Sequence, residues 1–387
     1  MSAPQSAAGP RRRREPGWDV LRTGFVLLVV LYHSTHLGPA LHPDLIPRPR
    51  FEFPHQVGAS LLLVVSAYFA AATRGRHTAP HYWWGRVSRL LPAFVVAVPI
   101  AWLTLRYLTP DNWGDPTVGQ LIDNWLMLGN WGTDKWPWLD PAYWTLPLQL
   151  MAFTVAALLG ASRWGRGTPL RVVLWSALLV PMVLWPLRAG LTPLGEPPVW
   201  YTTVVDGLGF HRWHLFVAGI AVWMWSTGRL RTPNAVAMLV LCGFGQFLHT
   251  AEVNDEGISE DLVASMLVCI GILLVAVVAH LPRPGSRMPA PLATLFQRLA
   301  GISYGVYLIH QTTGYVLMRR LQEVGVGPTL QTVAMLVNAL VLGWLLTRLV
   351  ERPAHRVLMR GYDRFVAARA ARKAVSGDAA PVPAEKV

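Results

Sequence analysis

The chain has 387 residues and a formal charge of +13, and 53% of its residues are hydrophobic while only 14% are charged. A soluble domain carries about 25% charged residues, so the composition excludes an ordinary soluble enzyme and points to a membrane protein. Cys242 and Cys269 are the only cysteines, and both lie in apolar stretches. They exclude a disulfide framework and a cysteine-based zinc site.

Residues 1–14 end in "RRRR" and read as a disordered basic segment. The apolar run behind them is too long for a cleavable signal and lacks a small-residue cleavage site, so the first helix is expected to stay as an anchor. A bilayer is crossed by roughly 20 mostly apolar residues. About ten segments fit, near 18–37, 57–73, 90–108, 143–161, 171–188, 212–227, 234–249, 262–281, 301–318 and 329–349. The expected fold is all-α, a polytopic bundle of about ten transmembrane helices forming one membrane domain over residues 15–360. Leu121–Trp131, interrupted by Asp123 and Asn124, reads as an interfacial helix. Residues 361–387 read as a cytoplasmic tail, helical at first and then disordered.

Charge placement gives the orientation. With the N-terminus in the cytoplasm, 26 of the 34 Lys/Arg and 6 of the 21 Asp/Glu fall inside. Lys/Arg asymmetry of this kind sets topology, and an even span count puts both termini in the cytoplasm. The basic balance is then topological, and nucleic acid is not an expected partner.

Polar residues inside the spans carry the chemistry, because an ionisable side chain in a bilayer is costly and normally faces a protein interior or a wet cavity. The first span reads "LRTGFVLLVVLYHSTH" over 21–36. Arg22 and His33 are eleven residues apart, a rise of roughly 16 Å and about three turns, so they share a face. Asp19 stands three residues before Arg22 and can pair with it. The alternative leaves His33 at the outer interface with Tyr32 and His36. In "WWGRVSRLLPAF", Arg86 and Arg89 are one turn apart, a spacing at which two guanidiniums can grip a phosphate. The alternative is ordinary positive-inside charge. In "GISYGVYLIHQ", Ser303, Tyr307 and His310 share a helical face. His310 falls close to the depth of His33, which implies one polar cavity, or else a packing histidine. His77 and His81 lack a third ligand, the acidic loop "AEVNDEGISED" lacks a calcium spacing, and no metal is expected. His211 and His214 are either acceptor-binding or interfacial.

Taken in order, "WDVLRTGFVLLVVLYH", "GRVSRLLP", "YWTLPLQLMAF", "HLFVAGIAVW", "GISYGVYLIHQ" and "VERPAHR" resemble the acyltransferase-3 family of integral membrane acyltransferases, from about Asp19 to Arg356. The resemblance implies transfer of an acyl group, commonly acetyl, from acyl-CoA to a hydroxyl of a carbohydrate, glycolipid, cell-envelope polymer or natural product. It implies that Arg22 and His33 are essential and that Arg86 and Arg89 belong to the acyl-CoA site. We expect His33, Arg22 and His310 to be catalytic, and Asp19, Trp144, Gln149, Ser303 and Tyr307 to position substrate. Two departures stand out. Gln149 replaces a glutamate that the family often carries five residues after its tryptophan, and Ser66-Ala67 replaces a Ser-Gly pair.

The physical chemistry agrees with that reading. Acyl-CoA is anionic at one end, which suits cytoplasmic arginines, and an imidazole titrates near neutrality, which suits deprotonation of a hydroxyl. Direct transfer is expected, since no serine or cysteine is placed as a nucleophile. Expected partners are membrane lipid, acyl-CoA and a hydroxyl acceptor. The Arg- and Trp-rich, Lys-poor composition points to the cytoplasmic membrane of a bacterium. The competing readings are a transporter or flippase with histidines as a proton relay, and a family member that has lost catalysis through Gln149.

Overall fold

The structure, a computed structural model, describes residues 15–375 apart from 110–112, 114, 133–134, 192–197, 254–257 and 283–284. The basic segment 1–14 and the end of the tail, 376–387, lie outside the described residues. The fold is helical, with no strand among the described residues. The helices are α1 (Pro16–Leu41), α2 (Gly58–Thr73), α3 (Ala79–Tyr107), α4 (Val118–Trp125), α5 (Thr145–Ala161), α6 (Gly167–Leu191) and α7 (Val199–Gly207). They continue with α8 (Trp213–Ser226), α9 (Thr232–Val253), α10 (Ile258–His280), α11 (Ala290–Ala300), α12 (Ser303–Glu323), α13 (Pro328–Leu346) and α14 (Arg352–Val375).

Each of the ten expected apolar segments falls on a helix. Among the described residues, six helical stretches are by themselves long and apolar enough to cross a membrane: Pro16–Leu41, Ala79–Tyr107, Pro141–Ala161, Gly167–Leu187, Leu262–His280 and Pro328–Arg372. A seventh forms if α11 and α12, bent by 59° at their junction, count as one span. Gly58–Thr73 and Thr232–Leu248 are apolar but shorter, and α8 has only 14 residues. Outward faces are apolar, with Val155, Leu158, Val183, Leu273, Val277, Val337 and Val341 exposed. That is the reverse of a water-soluble surface, where large exposed apolar patches are rare.

Two apolar cores flank α1. Phe25 packs with Leu61, Val64, Leu215 and Val222 from α2 and α8. Val26, Val29 and Val30 pack with Phe94, Tyr143, Leu146, Leu308 and Ala339 on the other side. The histidine-bearing helix thus runs between the two halves of the bundle. Its neighbours approach closely because glycine permits it, as in membrane helix pairs generally. A Cβ on Gly58 would lie 2.4 Å from the Phe25 carbonyl oxygen. Where α12 meets α13, a Cβ on Gly343 would lie 2.5 Å from the Val306 nitrogen.

The helix geometry is interrupted by π turns at His33–Leu37 and Thr347–Glu351. In the first, the Gly38 N–H donates to the His33 carbonyl, five residues back. The hydroxyls of Ser34 and Thr35 both donate to the Leu31 carbonyl, at 3.2 and 2.8 Å, so the widened turn keeps its acceptors satisfied. The second turn joins α13 to α14, and the resulting helix Pro328–Arg372 has 45 residues. At 1.5 Å per residue it is about 68 Å long, more than twice the hydrocarbon thickness.

Candidate active site

Both π turns carry a site residue, as such turns frequently do. His33, the first residue of its turn, is 4% exposed, and His310 on α12 is fully buried. Their rings meet directly: His33 Nδ1 and His310 Nε2 are 2.5 Å apart. The ring planes differ by 6° and the centroids are 4.8 Å apart. Two ring radii plus the nitrogen gap account for that separation, so the rings lie end to end in one plane, the geometry of a hydrogen bond rather than of a stack.

The tautomers follow from the far end of the chain. His310 Nδ1 is 2.9 Å from the Tyr307 carbonyl, which can only accept. His310 therefore carries its proton on Nδ1, and its Nε2 accepts. His33 must then donate through Nδ1, which leaves the lone pair on its Nε2. That nitrogen makes no hydrogen bond among the described residues. His33, Tyr32, Gln56, Trp144 and Tyr307 line a void of about 10 Å³, room for about one water.

Tyr307 is held in place by its phenol. The hydroxyl donates to the Ala142 carbonyl at 2.8 Å and accepts from Thr145 Oγ1 at 3.0 Å. The Ala142 N–H is shared by Asp140 Oδ1 and Gln311 Oε1, at 3.0 and 3.1 Å. Asp140 Oδ2 accepts from the backbone and the hydroxyl of Thr312, at 3.1 and 2.9 Å. Asp140 lies just ahead of the span that begins at Pro141. Burial pushes its carboxyl up to about 6, against the pull of the Thr312 and Ala142 donors. Asp140, Gln311, Thr312 and Thr145 were not singled out from the sequence. The signal within reach was Asp140 before Pro141, a helix-start pattern.

Tyr307 also borders a second cavity of about 140 Å³, whose other walls include Arg22, Arg86, Arg89, Thr145, Gln149 and Ser303. The structure thus brings Arg22, Arg86, Arg89, Gln149, Ser303 and Tyr307 to one cavity, and Tyr307 is also a wall of the separate small void at His33, to which His310 is hydrogen-bonded. The Arg22 guanidinium lies over the Phe69 ring, 5.5 Å from its centroid, and Asp19 is buried one turn away. Arg86 donates to the Phe69 carbonyl at 3.1 Å and to Thr73 Oγ1 at 2.6 Å. Its guanidinium also packs over Tyr82 and Phe153. Arg89 pairs through Nε with Glu351 at 3.2 Å. Trp144 borders the His33 void and carries the Arg212 guanidinium over its ring at 4.6 Å. Arg212 and Glu351 are further residues missed from sequence. Both lie in segments quoted for other reasons or beside them, and only the fold brings them to the site. His214, by contrast, turns away to Gln246 at 3.0 Å, and no group of three His, Cys, Asp or Glu suited to a metal occurs among the described residues.

A buried imidazole pair next to an arginine-lined cavity, inside a bundle of apolar helices, marks the candidate site of a multi-pass membrane protein. The chain belongs to the acyltransferase-3 family: the family model for the acyltransferase domain matches residues 15–348. Neither the curated proteins nor the solved structures contain a match to this chain.

Proposed function

We propose that this protein is a multi-pass membrane O-acyltransferase that moves an acyl group, acetyl in the simplest case, from cytoplasmic acyl-CoA to a hydroxyl. The acceptor class is a carbohydrate, glycolipid, cell-envelope polymer or natural product. Ten helices span the membrane in this reading, with both termini and the arginine cavity on the cytoplasmic side of a bacterial membrane. The observation that carries the proposal is the coplanar His33–His310 pair with its tautomers fixed by the Tyr307 carbonyl.

In the proposed reaction His33 Nε2 takes the acceptor hydroxyl proton as the oxygen attacks the thioester carbonyl. The C–O bond forms, the C–S bond breaks, and the imidazolium returns its proton to the departing thiolate. His310 keeps Nδ1 of His33 protonated and so keeps Nε2 basic. Arg22, Arg86 and Arg89 attract the donor, and Gln149 and Ser303 line its path. A flippase would leave these arginines without a task.

The test is acetyl transfer by the purified protein with the His33→Ala variant. General-base catalysis typically contributes 10²–10⁴-fold, so turnover falls by about that factor while acyl-CoA binding persists. His33→Gln does not rescue, because an amide is not basic. Near-normal turnover in His33→Ala would make His33 structural. Gln149→Glu is the companion: a large gain in activity would mean that the native site lacks a second acid/base group and that the one-base mechanism is incomplete.

A further inference from the structure

The 140 Å³ cavity at Arg22, Arg86 and Arg89 is too small for a nucleotide, since pockets for ligands of that size run to about 300–1,000 Å³. Two of its arginines are already engaged. Arg86 is committed to Phe69 and Thr73, and the charge of Arg89 is offset by Glu351. A larger basin adjoins it, sharing Arg89 as a wall. It measures about 540 Å³ and is bounded by Arg298, Gln297, Glu351, Arg352 and His355. A neighbouring hollow of similar size continues past Arg352 and His355 to Arg348 and Arg356.

These cations differ from Arg89. Arg298, Arg348, Arg352 and Arg356 have no carboxylate partner among the described residues. Arg352 donates only to the Gly301 carbonyl, at 3.3 Å, and Arg356 only to the Arg352 carbonyl, at 3.3 Å. Three elements converge here: the end of α11, the second π turn and the start of α14. Glu351, the one carboxylate in the wall, has its Oε2 buried without a hydrogen-bond partner, an acceptor that a sugar hydroxyl would satisfy. Forked guanidiniums match phosphate oxygens.

We infer that this basin, with Arg298 and Arg352 as its principal phosphate ligands, binds the phosphorylated nucleotide end of the donor. Arg89 then marks the neck through which the thioester arm passes toward Tyr307 and His33. The inference rests on the acyl-CoA reading above and assigns a site to that donor's phosphates.

The experiment measures binding of two probes to the detergent-purified full chain: CoA and adenosine 3′,5′-bisphosphate. Wild type should bind both, competitively, and more weakly as salt rises. Arg298→Gln with Arg352→Gln should weaken both by more than tenfold, while His33→Ala leaves both unchanged. Unaltered affinity in the double variant would overturn the inference and return these arginines to topological charge. If wild type binds CoA but the bisphosphate does not compete, the basin is likewise wrong even where the double variant fails to fold. If the double variant loses co-purified anionic lipid yet binds CoA normally, the basin is a headgroup site and the inference fails. If wild type binds the bisphosphate but turns over no acyl-CoA, the basin stands and the acyltransferase reading falls.

Discussion

Asp140 ties the turn ahead of α5 to α12, two residues beyond His310, by accepting two hydrogen bonds from Thr312, and it accepts a third within the turn from the Ala142 N–H. Burial raises its pKa in the folded protein from the ordinary 3.8 to about 6. Protonation therefore favours the folded state. The stability this carboxyl contributes is fully present below about 3.8 and is lost as pH rises through about 6, at most about 3 kcal/mol. Asp140→Asn cannot titrate, and its NH₂ must face one of the donors that now serve the carboxylate. The melting temperature of wild type should fall relative to that of Asp140→Asn between pH 4 and 7. A constant difference across that range would show that Asp140 does not ionise there. At this scale the sequence was legible where a residue was expensive. Arg22, His33 and His310 stood out because they interrupt apolar runs. Asp140 did not, because an aspartate in a polar loop is ordinary and its burial arises only when α12 closes over it. Arg86 was legible as a cation, but its commitment to Phe69 and Thr73 was not, since those partners lie on another helix.

Helix pairing carries the next set of consequences. The α12–α13 contact depends on Gly343, where a Cβ would press on the backbone of Val306, the residue just before the tyrosine that fixes the histidines' protons. Gly343→Ala should destabilise the protein by about 1–3 kcal/mol, the usual cost of overpacking, and should depress turnover by displacing α12. Gly361 in α14 has nothing within 4 Å of where its Cβ would be. Gly361→Ala should instead be neutral or stabilising by up to about 1 kcal/mol, from helix propensity alone. Thermal melts of the two variants check this, and equal effects would mean that the close approach is not what matters. The ten apolar segments were legible as helices from composition, because hydropathy alone identifies them. The two π turns were not, since one extra residue in a turn changes no hydropathy. Segment ends were also less legible. The third was placed from about residue 90, whereas α3 begins at Ala79, so Arg86 and Arg89 sit within the helix rather than ahead of it.

For the whole molecule, orientation is testable through the skew that the ten-span reading gives, with 26 of the 34 Lys/Arg on the cytoplasmic side. A cysteine introduced within 254–261 should react with an impermeant thiol reagent in intact cells. Labelling only after permeabilisation would reverse the topology and carry the arginine cavity to the wrong side for a cytoplasmic donor. The general architecture was legible because a bilayer allows few solutions. The meeting of two cavities at α1, one at Arg22 and one at His33, was not, because it depends on how two separate cores pack against that helix. Those cavities differ in size, and the one at His33 holds only about 10 Å³. In the proposed setting the consequence is electrical. A passage lined by arginines and histidines and filled with a continuous file of water would short-circuit the ion gradient of the membrane it crosses. A waist with room for about one water interrupts that file beside the residue that must accept a proton. In that reading, the tight packing around His33 also insulates the membrane from a leak.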